Sequence, residues 1–377
     1  MAGKEGINMT DRDYMDMAIR LAKKGEGWTD PNPLVGAVIV KDGKIIGQGF
    51  HEKYGCPHAE RNAIGSLSES AEGAVLYVTL EPCCHYGKTP PCTDVIIEKG
   101  ISKVVIGSRD PNPKVAGKGA EILRKAGVDV YEDFMKEECD RLNPVFFYYI
   151  TAHMPYVVMK YAMTADGKTA TKTGASKWIT GDAAREEVQH MRGRYTGIMA
   201  GIGTVLSDDP ILDSRINGLR SPVRIICDSR LRIPEDSKIC RTAHKQRTII
   251  ACAENESEKS IRLKASGVEI LECPGEGGHI DLRVLMGKLA DMKINSILLE
   301  GGGTLNESVL RAGLVNEIKM FIAPKIFGGS ESRSPVEGAG IEMPDEAIPL
   351  RCRDIEHIGE DILISYEVER KQKCLPE

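Results

Sequence analysis

The segment that decides the fold of the first half reads HAE over residues 58–60 and YVTLEPCCHYGKTPPC over residues 77–92. One imidazole and two thiolates, from His58, Cys83 and Cys92, suit a tetrahedral Zn²⁺ whose fourth position stays open, as catalytic zinc sites require. The interval between the two cysteines is longer than in the common C-x-x-C form. The order and the types of these residues still predict a zinc centre.

Glu60 adds a second chemical group to this centre. It lies two residues after His58, so it can face a metal-bound water without binding the metal. The arrangement H-x-E, then P-C and a further C, is typical of zinc-dependent nucleobase deaminases, in which the glutamate carries protons. Zinc lowers the pKa of its water from about 15.7 to near 7, and the activated water would attack a ring carbon that bears an amine. We therefore expect an aminated heterocycle as the substrate.

A structural zinc site with four protein ligands is the alternative, and Cys84 or His85 could supply the fourth ligand. Cys84 directly follows Cys83, which makes it awkward for both thiolates to bind one ion. The ligand count and the position of Glu60 favour the open, catalytic site.

Composition and charge limit the classes of protein. The 377 residues exceed one typical domain, so two domains are expected. The net charge of −5 offers no electrostatic footprint for nucleic acid or an anionic membrane. The longest apolar runs are strand-sized, and we expect neither a signal peptide nor a membrane span. Eleven scattered cysteines, an odd number, fit a reducing cytoplasm better than a disulfide framework.

Helix and strand patterns alternate in both halves of the chain, and the division between them falls near residue 150. In the first half, they predict elements at residues 10–25, 35–40, 45–50, 58–67, 74–80, 93–99, 104–107 and 119–126. Asn143-Pro144 and His153-Met154-Pro155 bracket a predicted linker. In the second half, elements are predicted at residues 156–160, 182–192, 197–201, 223–227, 248–252, 297–299, 318–323 and 362–368.

Polar residues beside the zinc motif could hold the substrate. Asn32 lies in a Pro-flanked turn before a buried strand, where Asn is also common for backbone reasons alone. His85 and Lys88 belong to a basic loop that suits a phosphate, although a solvated surface loop has the same composition. Residues 109–113 (RDPNP) follow a strand, at the edge where ligands of α/β sheets commonly bind.

In the second half, residues 297–305 (ILLEGGGTL) predict a strand, a glycine turn and a helix. Glycines let the backbone approach a pyrophosphate, whose charge the helix N-terminus favours. The motif differs from G-x-G-x-x-G and is weak by itself. Trp178, one of two tryptophans, could stack on a planar ring, and ordinary core packing is the alternative.

The whole chain resembles the bifunctional riboflavin biosynthesis proteins, a family that joins a pyrimidine deaminase to a ribosyl reductase. The resemblance is carried by residues 31–36, 58–60, 77–92, 109–119, 163–168, 176–180, 201–210, 300–303 and 323–325. The long interval between Cys83 and Cys92 is this family's own form of the motif. The resemblance implies an α/β protein with a cytidine-deaminase-like three-layer sandwich over residues 1–150. A dihydrofolate-reductase-like α/β domain is expected over residues 151–377.

Two successive reactions follow from the resemblance. The first domain would remove an amine from diaminohydroxyphosphoribosylaminopyrimidine with the help of zinc. The second would reduce the ribosylamino group to a ribitylamino group with NADPH. The resemblance also implies a cytoplasmic homo-oligomer with a small phosphorylated pyrimidine as its partner, and no nucleic acid or membrane.

The family's site residues are carried over position by position. Zinc would be bound by His58, Cys83 and Cys92, with Glu60 as proton donor. The deaminase substrate would contact Asn32, His51, His85, Lys88, Asp110 and Asn112. Contacts to the reductase substrate would come from Lys160, which is also the expected catalytic residue, and from Ser176, Arg192, Leu212, Arg215 and Glu300. The cofactor would contact Ala162, Trp178, Thr180, Thr204, Asp208, Ser229, Gly302, Gly303, Thr304, Leu305, Asn306, Glu307 and Ser308.

Chemistry gives some of these positions an independent reason. Arg192 and Arg215 make sense as phosphate clamps, because a guanidinium fork fits phosphate oxygens. Each could equally be a surface cation. Ser229 and Arg230, after a predicted strand, could read the 2′-phosphate that distinguishes NADPH from NADH.

The chain departs from the family's common pattern at a few positions: Arg61, Asn62, Cys84 and Thr93. None of them is a proposed metal ligand, so the expected metal chemistry is unaffected. Two other functions stay open at this point: a single-activity nucleobase deaminase with an accessory nucleotide-binding domain, and a zinc-stabilised binding module without turnover. The acidic balance argues against polynucleotide substrates, which need a basic channel.

Overall fold

The structure is a computed structural model that describes residues 9–86, 90–112, 115–255 and 257–369. The chain divides into two compact units, Met1–His153 and Met154–Glu377. No helix in the described part of the chain is long and apolar enough to cross a membrane.

The first unit is built on a five-stranded mixed sheet, counted over its described residues, with the order β2-β1-β3-β4-β5. Its strands are β1 (Gly36–Lys41), β2 (Lys44–Phe50), β3 (Val75–Leu80), β4 (Lys103–Ser108) and β5 (Asp129–Tyr131). Its helices are α1 (Asp11–Lys23), α2 (Ala59–Gly65), α3 (Cys92–Glu98), α4 (Lys118–Lys125), α5 (Lys136–Asp140) and α6 (Pro144–Ala152). β1 pairs antiparallel with both β2 and β3, whereas β3, β4 and β5 run parallel.

Helices cover both faces of this sheet, because successive strand residues point to opposite sides. Ile39 and Leu76 pack in one core with α2, α3 and α4, and Val38 and Tyr77 pack in another with α1 and α5. The expected three-layer sandwich is confirmed. α1 begins with a capping box, in which the side chains of Thr10 and Asp13 each accept a hydrogen bond from the other's backbone amide.

The predicted linker between Asn143 and Pro155 is wrong. Residues Pro144–Ala152 form α6, which ends one residue before the boundary between the two units. Proline is favoured in the first turn of a helix, because it has no amide hydrogen that needs a partner there. The Asn-Pro pair therefore marks the start of a helix here, and Phe146 in that helix is buried.

The second unit has a larger sheet with the order β10-β9-β8-β7-β11-β6-β12-β14-β13 over the residues described. Its strands are β6 (Tyr156–Thr164), β7 (Gly197–Gly201), β8 (Val223–Cys227), β9 (Thr248–Cys252), β10 (Glu269–Glu272), β11 (Ser296–Leu299), β12 (Val315–Ala323), β13 (Leu350–Ile358) and β14 (Asp361–Val368). Its helices are α7 (Asp182–Arg194), α8 (Ile202–Asp208), α9 (Lys238–Arg241), α10 (Glu258–Ala265), α11 (Leu282–Asp291) and α12 (Gly303–Arg311), with single 3₁₀ turns at Glu276–Gly278 and Pro344–Glu346.

The strands from β10 to β12 run parallel, and β14 and β13 continue the sheet antiparallel. α11 and α12 pack on one face with Met159 and Met199. On the opposite face, α8, α9 and α10 pack against Ile198, and α7 packs against Val158 and Leu298. Because parallel strands end at the same edge, the residues after β7, β8 and β11 come together there.

Candidate active sites

The structure brings together the three predicted zinc ligands. His58 is the N-cap residue of α2, Cys83 follows β3, and Cys92 is the first residue of α3. The Nδ1 atom of His58 lies 3.4 Å from the sulfur of Cys83 and 3.4 Å from that of Cys92. A tetrahedral zinc with bonds of about 2.0 Å to nitrogen and about 2.3 Å to sulfur places these atoms roughly 3.5 Å apart. The donor set fits zinc.

The side chains of Cys83 and Cys92 are hydrogen-bonded to each other. The hydrogen bond with Cys92 and the proximity of His58 lower the pKa of Cys83 to about 4. The same hydrogen bond, together with burial, raises the pKa of the Cys92 thiol. Among the described residues, no fourth histidine, cysteine or carboxylate joins the group. This geometry favours the open site over the structural site with Cys84 or His85 as a ligand.

Glu60 lies in the first turn of α2, two residues after His58, and is buried. Burial and the nearby Cys83 raise the pKa of this carboxyl to about 7. A carboxyl with a pKa near neutrality can both accept and release a proton under physiological conditions. Its environment is that of a general acid and base.

A cavity of about 280 Å³ opens in front of this centre. It is lined by most of the residues predicted for the deaminase, namely Asn32, His51, His58, Glu60, Cys83, His85, Asp110 and Asn112. Lys88 lies outside the described residues. Tyr54, Cys56 and Phe146 also line the cavity and were not predicted, because no motif distinguishes them from surface or core residues. The sequence motifs thus predicted most of the polar residues that line the cavity.

His51 is fixed as a neutral ring between two partners. Its Nδ1 lies 3.0 Å from the carbonyl oxygen of Pro57, and its Nε2 lies 3.2 Å from the amide nitrogen of Asn32. In the tautomer that satisfies both contacts, Nδ1–H donates to Pro57 and Nε2 accepts from Asn32. Burial lowers the pKa of His51, which favours this neutral form. The fixed ring in turn holds the amide of Asn32 at the cavity wall.

Asp110 also lines the cavity and lies two residues after the end of β4. Its Oδ1 accepts a hydrogen bond of 2.8 Å from the backbone amide of Asn112. Burial raises the pKa of Asp110 to about 6. A carboxyl accepts hydrogen bonds when ionised and can also donate one when protonated, and the amide beside it can donate and accept, so the pair suits a heterocycle.

In the second unit, Lys160, Arg192 and Glu300 form one buried charge cluster. Nε of Arg192 lies 2.7 Å from Oε1 of Glu300, and its NH2 group lies 3.0 Å from Oε2. Nζ of Lys160 lies 3.7 Å from the same Oε2. Burial alone would raise the pKa of Glu300, but the charges of Arg192 and Lys160 outweigh it and hold the pKa at about 2. Burial lowers the pKa of Lys160.

Glu300 also links this cluster to the glycine turn. A cavity of about 430 Å³ lies at the carboxyl edge of β7, β8 and β11. The N-termini of α8 and α12 begin at this edge, and neither has a side-chain cap. Free first-turn amides and the helix dipoles suit an anionic group such as a pyrophosphate. The predicted residues in its lining are Thr204, Ser229, Gly302, Gly303, Thr304, Leu305 and Ser308.

Other predicted cofactor residues lie outside that lining: Ala162, Trp178, Thr180, Asp208, Asn306 and Glu307. Trp178 is 63% exposed, with the guanidinium of Arg185 at 4.6 Å from its ring centroid. The expected alternative, core packing of Trp178, is therefore wrong. Asn306 is buried and donates a hydrogen bond to the carbonyl oxygen of Pro335, and Glu307 pairs with Arg311.

The cation at the edge of the cavity differs from the predicted one. Arg232, together with His279 and Arg333, lines the cavity, whereas Arg230 is exposed outside it. The tight turn after β8 reverses the chain, so that the second arginine of the sequence DSRLR points into the cavity. The sequence indicated an arginine after β8, but it did not show which of the two, Arg230 or Arg232, lines the cavity.

The remaining predicted substrate residues of the second unit lie apart from that cavity. Leu212 is buried, Ser176 is partly buried, and Arg215 donates a hydrogen bond of 3.3 Å to Oδ1 of Asp213. Arg192 also donates to the carbonyl oxygen of Asp213, at 3.2 Å. The segment around Leu212 is thus connected to the charge cluster.

The comparisons with known proteins match each unit separately. Residues 8–108 match the family model described as the cytidine and deoxycytidylate deaminase zinc-binding region. Residues 155–364 match the RibD C-terminal domain. Fold and site therefore define a protein that joins a zinc-region deaminase to a reductase domain.

Similar proteins combine the same two domains. The RibD riboflavin biosynthesis protein of Actinobacillus pleuropneumoniae is 54% identical over 96% of both chains. The solved structure of Acinetobacter baumannii RibD is 37% identical, with a TM-score of 0.86 over 96% of this chain and 99% of that one. A deaminase/reductase from Thermotoga maritima is 38% identical, with a TM-score of 0.84 over 94% and 97% of the two chains.

The chain belongs to the RibD family of riboflavin biosynthesis proteins. It is a bifunctional enzyme with a deaminase and a reductase activity, as the resemblance implied. The predicted cytidine-deaminase-like and reductase α/β folds are likewise confirmed. By family, its first domain is a zinc-binding one.

Proposed function

We propose that the first unit binds one zinc ion through His58, Cys83 and Cys92 and deaminates diaminohydroxyphosphoribosylaminopyrimidine. The Thermotoga maritima relative is named as a deaminase of this compound. Bound zinc supplies a Lewis acid that activates a water molecule as the nucleophile. Glu60 takes up the proton of that water and delivers it to the departing amine.

The other cavity residues would orient the pyrimidine. Asn32 offers an amide held by His51, and Asp110 with Asn112 offers further donors and acceptors in the same cavity. His85 and Lys88 would contact the phosphate. This arrangement presents the aminated carbon to the zinc side of the cavity, where Glu60 lies.

The second unit would reduce 5-amino-6-(5-phosphoribosylamino)uracil. The same Thermotoga maritima relative is named as a reductase of this compound. NADPH supplies the hydride. The uncapped amides of α12 and the glycines before it would bind its pyrophosphate, and Ser229 with Arg232 would bind the 2′-phosphate. Trp178 offers an exposed aromatic face for a planar ring.

Lys160 is the proposed catalytic residue of the reductase. It is buried, and Glu300 lies beside its amine. A buried lysine of lowered pKa can give a proton to the ribose oxygen as the ring opens. Arg192, Arg215, Ser176 and Leu212 would hold the phosphorylated sugar. Because Arg192 already binds Glu300, it would use its remaining donors for the phosphate.

The assembly and the compartment extend this proposal. We propose a homo-oligomer that acts on small molecules in the cytoplasm. None of the ten described cysteines forms a disulfide, which suits a reducing compartment.

One observation carries the proposed function: a His-Cys-Cys group of zinc geometry lies beside the buried Glu60 in one cavity. Mass spectrometry of the zinc-loaded protein, given the pyrimidine made freshly from GTP, tests it. We expect an amine to become a carbonyl without NADPH, and two hydrogens to be gained only with it. Deamination alone would contradict the reductase assignment. No change despite bound zinc would contradict the deaminase assignment.

A further inference from the structure

A buried carboxylate outside the catalytic group joins the chain before Cys83 to the segment that carries the cavity-lining residues Asp110 and Asn112. Glu81 follows β3, two residues before Cys83, and is only 4% exposed. Its carboxylate accepts hydrogen bonds from four backbone amides: Asp110 at 3.4 Å, Gly117 at 3.0 Å, Gly119 at 3.0 Å and Ala120 at 3.2 Å.

These four amides flank one segment on both sides. The amide of Asp110 lies at its beginning, and the other three lie at the start of α4. Asp110 and Asn112 line the cavity from this segment, and so does the buried Val115. A single carboxylate therefore binds the backbone at Asp110 and at the start of α4, on either side of the cavity-lining residues Asn112 and Val115.

Glu81 also replaces the missing cap of α4. The N-cap residue of this helix, Gly117, has no side chain and adopts a φ of 81°. The first amides of a helix have no partner within it, and here Glu81 supplies an acceptor with a negative charge, which the helix dipole favours. The start of α4 is thereby fixed to the chain that carries Cys83.

Gly119 shows how close this approach is. A Cβ built on Gly119 would lie 2.2 Å from the carbonyl oxygen of Pro82 and 3.2 Å from Oε1 of Glu81. Any larger residue at position 119 would push α4 away from the chain before Cys83. Two independent features, the carboxylate of Glu81 and the absence of a side chain at Gly119, therefore hold α4 close to the chain before Cys83.

We propose that Glu81 is a positioning residue of the deaminase, which sets the distance between the zinc centre and the substrate-binding wall at Asp110 and Asn112. The inference rests on the proposed substrate contacts of these two residues. Glu81 lines the cavity, but both of its carboxylate oxygens accept from backbone amides, so it acts through that backbone. Because His58 and Glu60 lie at α2 and Cys92 at α3, and the Glu81 carboxylate binds the backbone beside Asp110 and Asn112, its loss should affect substrate binding more than zinc binding or the chemical step.

Glu81→Gln tests this inference in the full-length, zinc-loaded protein. Glutamine keeps the size of the side chain but replaces one acceptor oxygen with an NH₂ group. The backbone amides that donated to that oxygen lose their acceptor, so one of the two bound ends of the segment should detach from position 81. We expect KM for the pyrimidine to rise roughly tenfold, kcat to change less than about twofold, and zinc content to stay unchanged. The reductase activity of the same chain is the internal control for folding.

Glu69→Gln is the matched control, because Glu69 is exposed on the same unit. It should leave all four quantities unchanged. Glu81→Asp keeps the charge but is shorter by one methylene, and it should also raise KM. If Glu81→Gln leaves KM unchanged, or lowers kcat together with zinc content, the positioning role is wrong.

Amide hydrogen exchange gives a second measurement that does not depend on activity. In Glu81→Gln, the amides of Gly117, Gly119 and Ala120 should exchange at least roughly tenfold faster than in the parent, while those of β3 stay protected. Equal exchange rates in the two proteins would contradict the proposed role of the hydrogen bonds from these amides to Glu81. If the parent does not deaminate the pyrimidine, the proposed function is wrong. The exchange rates would still show whether Glu81 holds these backbone amides in place.

Discussion

Arg192 and Glu300 form a bidentate ion pair in the second unit, with Nε–Oε1 and NH2–Oε2 distances of 2.7 and 3.0 Å. Both side chains are only about an eighth exposed, at 12% and 13%. Lys160 shares the same carboxylate. One buried anion thus neutralises two buried cations, and removing it leaves both without a counter-charge.

Glu300→Gln should therefore destabilise the second unit by about 3–5 kcal/mol at pH 7, the range for breaking a buried pair. The effect depends on pH. The folded-state pKa of Glu300, about 2, is below its ordinary value of 4.5, so its contribution is fully present above about pH 4.5. It is lost as the pH falls towards 2. Urea unfolding of both proteins at pH 7 and at pH 3 measures the difference.

Trp178 fluorescence reports on the second unit in this experiment, once Trp28, the other tryptophan of the chain, is replaced by phenylalanine. Glu342→Gln is the control, because Glu342 is exposed. Equal free energies of unfolding for Glu300→Gln and the parent at pH 7 would contradict the ion pair.

Glu60→Gln should abolish most of the deaminase activity while zinc stays bound. The amide cannot carry a proton, and general acid–base catalysis contributes roughly 10²–10⁴-fold. We expect kcat for deamination to fall within that range, with zinc content and reductase activity unchanged. Steady-state kinetics and metal analysis check this. A variant with parent-like deamination would exclude Glu60 as the proton carrier.

The cysteines of the first unit should differ sharply in their effect on zinc. Cys92→Ser removes a member of the three-residue group and should lower zinc content well below one ion per chain. Cys84→Ser should keep the full zinc content, because Cys84 does not belong to that group. Plasma mass spectrometry of the purified variants measures both. Zinc loss in Cys84→Ser would support the four-ligand structural site.

Gly302→Val should weaken NADPH binding roughly tenfold or more, because a side chain there projects towards the proposed pyrophosphate. Within the protein, a Cβ at Gly302 meets only Oγ1 of Thr204, at 3.9 Å, so the protein itself tolerates a small side chain. Gly287→Ala is the control, since Gly287 has equal space on α11. Calorimetric titration compares the dissociation constants, and an unchanged value for Gly302→Val would exclude the glycine turn.

Arg232→Ala should change cofactor preference. The guanidinium lies at the cavity, with Nε 3.6 Å from Oδ1 of the fully buried Asp228. We expect roughly tenfold weaker NADPH binding and unchanged NADH binding, because only NADPH has the 2′-phosphate. Arg230→Ala, at the exposed arginine, should bind both as the parent does. Equal weakening of both cofactors would argue against a 2′-phosphate contact.

Local patterns predicted much of this molecule. β7, β8 and β9 fall at the predicted residues, because strands that are buried on both faces are continuous apolar runs. The zinc group was also predictable, since its chemistry requires particular residue types in a fixed order. In contrast, β13 carries mostly charged and polar residues and is almost wholly exposed, so no apolar pattern marks it.

Contacts between distant segments could not be predicted. Glu81 reads as a polar residue before a proline, and only the fold shows that four amides from another segment converge on it. The pairing of Arg192 with Glu300 likewise joins residues 108 positions apart. Periodicity reports on the local environment of a residue, whereas such contacts depend on the three-dimensional arrangement.

Each of the two cavities is lined by residues of one unit alone. Damage to one site therefore leaves the residues of the other in place, and a released intermediate can diffuse from one protein molecule to another. A bacterium that carries two defective copies of the gene, one with Glu60→Gln and one with Gly302→Val, should grow without added riboflavin. Neither copy alone should support that growth. In genetic terms, this single gene should behave as two complementation groups.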